Sequence, residues 1–89
     1  MSYRERIHAQ QYLAEQREEF PADPWRYVET ALAKGLTFAD LNRAELEWFV
    51  TEQQRILNMM KTWTGLVPYT PEQIAAIEAR INAATQAQG

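Results

Sequence analysis

The chain holds one histidine, one serine and no cysteine, which leaves few side chains able to act as nucleophile, general base or soft metal ligand. Glu5-Arg6-Ile7-His8 has the Glu-x-x-His spacing by which residues one helical turn apart bind one metal in diiron bundles. Such a site needs further carboxylates projecting into the same core. Helical spacing instead turns His8 away from Ile7 and Leu13 and sets it beside Glu15 and Glu19, so it reads as a solvated side chain. Ser2 is the lone serine and sits at a helix start, which excludes a nucleophilic triad. Glu18/Glu19 and Glu45/Glu47 point to different sides of their helices or lie at exposed ends, so glycosidase-like pairing has no support. Gly35, Gly65 and Gly89 are isolated at helix ends and form no phosphate-cradling loop. No enzyme, metal or cofactor is expected.

The elements that position these residues are legible from the punctuation of 89 residues, 46% of them hydrophobic. Nothing alternates with period two over a strand's length, and the reading is all-α: a small single-domain bundle of about four helices with one short helical turn. Ser2-Tyr3-Arg4-Glu5 is a capping box opening a helix over about 3–19, with Tyr3, Ile7, Leu13, Ala14 and Phe20 expected inward. Asp23-Pro24 opens a second over about 24–34, with Trp25, Val28, Ala31 and Leu32 inward and Gly35 as its stop. Thr37-Phe38-Ala39-Asp40 reads as one turn, and Asn42-Arg43-Ala44-Glu45 as the cap of a long helix over about 43–64. There Leu46, Phe49, Gln53, Ile56, Met60 and Trp63 follow a 3-4-3-4-3 spacing, a heptad seam widened by Val50 and Leu57. Gln53 is its one polar member, and Trp63 is expected internal. The apolar segment 66–69 should fold back over the bundle's end. Thr70-Pro71-Glu72-Gln73 starts a last helix over about 71–85, with Ile74, Ile77, Ile81 and Ala84 inward and an alanine side outward. Residues 1–85 form the domain, and 86–89 should fray.

Nine Lys and Arg against twelve Asp and Glu give a net charge of -3, which opposes phosphate-backbone binding. Thr30-Ala31-Leu32-Ala33-Lys34-Gly35-Leu36-Thr37 with Leu41 resembles a helix-turn-helix register, which makes a DNA-binding regulator the alternative reading. Its second helix would show DNA Asp40, Glu45 and Glu47 against Arg43 alone, so no nucleic acid is expected as partner. Charged residues Arg4, Glu5 and Arg6 occupy the place of a signal peptide's apolar core, no stretch reaches a membrane span's length, and the helix faces are mixed or acidic. The expectation is a cytoplasmic protein with no membrane partner.

Gly35-Leu36-Thr37-Phe38-Ala39-Asp40-Leu41 leading into Ala44-Glu45-Leu46-Glu47-Trp48-Phe49 is similar to small phage tail-assembly proteins, which share a Gly-apolar-Thr turn and a Glu-Leu-x-x-Trp helix. The resemblance implies a phage-type accessory protein and brings no functional residue with it.

The long helix carries a second apolar side. Trp48 and Met59 fall at roughly 200° and 220° on the helical wheel, whereas the seam centres at roughly 330°. With Glu52 and Arg55 between them they make a patch of residue types enriched where proteins bind each other. The expectation is a non-catalytic protein-binding module, a small phage- or plasmid-encoded inhibitor, assembly chaperone or accessory subunit, that docks through Trp48, Glu52, Arg55 and Met59. Its partner is another protein, a second copy in a homodimer included.

Overall fold

Each long helix begins where a polar side chain closes on its first turn. The computed structural model describes residues 2–89, and among them are helices α1 (Tyr3–Glu19), α2 (Val28–Ala33), α3 (Arg43–Lys61) and α4 (Pro71–Gln88) and no strand. Reciprocal capping boxes join Ser2 to Glu5, Asn42 to Glu45 and Thr70 to Gln73, each satisfying amides that the helix itself leaves free. A fourth such box, Thr37 with Asp40, closes a 3₁₀ turn at Phe38–Asp40. The all-α class and the four helices agree with the sequence, and α4 continues to Gln88, past the expected fraying point.

The expected second helix is broken. Pro24–Arg26 forms a separate 3₁₀ turn, and α2 begins only after Tyr27, whose φ of -139° departs from helical geometry. The break turns the Tyr27 ring into the core, where it is 2% exposed. Trp25, expected inward, is 59% exposed instead, with the Arg26 guanidinium 4.8 Å from its ring and 4.4 Å from that of Phe20. Gly35 ends α2 with φ 104°, a backbone conformation that a side chain would strain.

The core gathers Leu13, Val28, Ala31, Leu46, Phe49 and Ala84 around the turn segments that carry Leu36 and Leu41. Phe38 tilts against Phe49 at 5.0 Å between centroids, and Arg80 of α4 lies over Phe49 while pairing with Glu29 of α2. α3 and α4 pack along their lengths as a hairpin that buries Gln53, Leu57, Met60 and Ile81. The molecule is drawn out along this hairpin to 43 × 29 × 27 Å.

A carboxylate sits where the pieces meet. Glu45 is 1% exposed yet fully bonded: Oε1 accepts from Arg17 Nη2 at 2.7 Å and the Asn42 amide at 2.8 Å, and Oε2 from Arg17 Nε at 2.9 Å and the Tyr27 hydroxyl at 2.5 Å. Arg17 Nη2 also donates to the Asp40 carbonyl, and Arg6, three turns earlier, pairs with the Asp40 carboxylate. These arginines orient α1. Ala9 and Leu13, lying between them, are buried, whereas Tyr3 and Ala14, expected inward, are exposed. Glu45 is thus no surface acid, in contrast to its place in the helix-turn-helix reading. Burial raises its pKa, but Arg17, Tyr27 and the Asn42 amide outweigh that and hold it below the ordinary carboxylate value. Burial and the same carboxylate push the Tyr27 phenol up.

Because the folded carboxyl titrates below the unfolded one, the network's stabilisation is present above about pH 4.3 and is lost as pH falls through the folded value. Arg17→Met strands a buried carboxylate and should cost about 3 kcal/mol at pH 7. In that variant Glu45 titrates high, so urea unfolding should show the gap to wild type narrowing as pH drops toward 4. A gap constant from pH 7 to 3 contradicts the pairing. Gln53 Oε1 is buried with no hydrogen-bond partner, and Gln53→Met should therefore raise stability by about 1 kcal/mol. A melting temperature that falls instead would show the amide to be satisfied.

Candidate functional site

Trp48, Glu52, Arg55 and Met59 recur at 4-3-4 spacing along α3, the rhythm that keeps side chains on one side of a helix. The cap at Asn42 fixes where that rhythm begins. The side is open over most of its length, since Ala44, Glu47, Thr51, Arg55 and Asn58 are all exposed. Met59 is 43% exposed. Arg55 donates through Nη2 to Glu52 Oε1 and through Nε to Oε2 at 3.4 Å. The hydrogen bond from Arg55 holds Glu52 below the ordinary carboxylate range. Both groups remain in water, so the pair orders the surface more than it stabilises the fold.

Trp48 differs from its three companions. Its half-buried indole rests against the core cluster, one turn beyond the buried Glu45. Trp48 thus joins the core at one edge, whereas Arg55 and Met59 are exposed.

At the far end the seam does not continue as its spacing predicts. α3 stops at Lys61, so Trp63, expected internal, leaves the helix and is 49% exposed. Its indole Nε1 donates to the Val67 carbonyl at 2.9 Å, and Tyr69 meets the ring edge-on at 5.9 Å. Gly65 lies flat on the indole, where a Cβ would stand 2.1 Å from Cζ2. The loop thus folds on Trp63 and does not lay its apolar residues over the bundle's end, leaving Leu66 fully exposed and Val67 80% exposed. Nothing in their sequence spacing marks these two side chains as surface residues.

Glu5 is engaged with the Ser2 amide, His8 is exposed, and no three His, Asp or Glu groups converge among the described residues. Thr30 and Lys34 of the helix-turn-helix register are exposed, with Lys34 Nζ 5.0 Å from the Tyr12 ring. A second 3₁₀ turn intervenes before α3. Arg43 pairs with Glu47 at 3.0 Å. Shallow depressions beside Glu5 and Lys34, along Glu15 and Glu19, and between Gln54 and Asn82 do not reach the open side of α3. Among the described residues no helix is long and apolar enough to cross a membrane.

Two residues of the open side should separate in their cost to the fold. Trp48→Ala should lose about 2 kcal/mol because its indole covers core, whereas Met59→Ala should stay within about 0.5 kcal/mol. Equal losses in thermal unfolding would contradict this division.

Comparison with protein-family models finds no match to the chain, and neither do comparisons with curated proteins and with solved structures.

Proposed function

We propose that the protein is a non-catalytic protein-binding module whose docking face is the open side of α3. The observation that carries this reading is a bare, ordered strip with a thioether at Met59 and an arginine held in place by Glu52. Flexible thioethers adapt to a partner's relief, and arginine contributes directional bonds at the rim or centre of an interface. Trp48 supplies the aromatic edge beside them. A chain of this size buries only about two thirds of its unfolded surface, which leaves apolar area for a partner to cover.

The reading gives the protein the part of a small inhibitor, assembly chaperone or accessory subunit in the cytoplasm. The similarity to tail-assembly proteins adds a phage-type accessory role to that proposal. Immobilised wild-type chain should retain a specific protein from its host lysate, and Met59→Glu should reduce retention at least tenfold with helicity unchanged. Ala76→Glu, on the outward side of α4, should leave retention intact. Equal capture by wild type and Met59→Glu would remove α3 as the docking face.

A further inference from the structure

The charges and apolar groups on the open side of α3 are arranged as a palindrome. Apolar Trp48 and Met59 stand at the ends, and oppositely charged Glu52 and Arg55 stand between them. When a helix lies antiparallel on a copy of itself about a twofold axis, facing residue numbers add to a constant. Here 48 plus 59 and 52 plus 55 give the same sum, 107. One register therefore sets Trp48 against the partner's Met59 and Glu52 against the partner's Arg55, each contact made twice. The axis falls between Gln53 and Gln54, near the middle of α3, so about four turns of each helix overlap.

We infer that this face pairs with a second copy of the chain, α3 antiparallel to α3 about a twofold axis. The inference rests on the reading of α3's open side as a docking face and names its occupant. The 4-3-4 spacing is that of a coiled-coil seam, so α3 presents one seam to α4 and a second to its copy. The Glu52–Arg55 pair, internal in the single chain, exchanges into two pairs across the axis without leaving a charge unmatched. Sulfur meets indole at both ends, a favourable contact. Exposed Ala44 and Thr51 on the same side place little bulk in the way. A single helix pair covers less than the about 800 Å² per partner of a standard stable interface, so the association is a weak, transient one.

The test uses sedimentation velocity from 5 µM to 1 mM on the full chain and on charge-reversed variants. Wild type should pass from monomer to dimer over this range. Glu52→Arg and Arg55→Glu should each weaken association at least tenfold, because like charges then face across the axis. Their equimolar mixture should recover it as a heterodimer, and the double variant should dimerise as wild type does. Circular dichroism should show all four chains equally helical. A wild-type chain monomeric at 1 mM overturns the inference, as does a dimer indifferent to the charge reversals. A monomer that still captures another protein through Met59 sinks only the self-pairing, whereas capture indifferent to Met59→Glu sinks the docking face itself.

Discussion

The Glu45 carboxylate is the constraint on which the arrangement of the chain depends. A buried ion is costly to desolvate and persists only when its bonding capacity is filled. Here four donors from three parts of the chain fill it: the Arg17 guanidinium twice, the Tyr27 hydroxyl and the Asn42 amide. The same side chain caps the first turn of α3, so the helix start and the docking of α1 are fixed by one group. Asp40 extends the clamp, accepting Arg17 on its carbonyl and Arg6 on its carboxylate. That carboxyl is also held low, the Thr37 box and Arg6 outweighing the effect of burial.

What the clamp covers determines what remains uncovered. At Glu45, the Arg17 side chain of α1 and the Tyr27 hydroxyl reach α3, and Leu46 and Phe49 beside it belong to the core cluster. Beyond Glu52 the helix's buried residues Gln53, Leu57 and Met60 lie along the packing with α4, and a pair of helices buries one stripe each. Ile56, Ile74 and Ile77 are accordingly half-buried, Met59 and Trp63 are exposed, and Gln53 keeps an unmet acceptor in the seam. Polar satisfaction is complete at Glu45 and incomplete two turns on at Gln53. The docking surface proposed for this protein lies on the side of α3 away from that seam.

The helix starts were readable because capping is local: Ser2 with Glu5, Asn42 with Glu45 and Thr70 with Gln73 each act over three residues. The outward placement of Met59 and the Glu52–Arg55 pair followed from spacing for the same reason. Where residues distant in sequence decide, the reading failed. α1 has no dominant apolar side, so its orientation is set by arginines whose partners lie 23 to 34 residues away. The Glu45 spacing announces a cap and is silent about Arg17 and Tyr27. The partial burial of Trp48 depends on a core cluster assembled from α1, α2, α4 and the turns between them. Trp63 kept the heptad count but lay past the helix end, where the count has no geometric meaning.

Position 59 lies eleven residues from position 48, about 16 Å along one helix, too far for a nuclear Overhauser effect within a single chain. The most direct measurement is therefore a half-filtered experiment on a mixture of isotopically labelled and unlabelled chains, observing the Met59 methyl group against the Trp48 ring. Self-pairing predicts an intermolecular cross-peak between them that fades on dilution below the dissociation constant. No cross-peak at millimolar concentration, or contacts confined to the alanine side of α4, would contradict it.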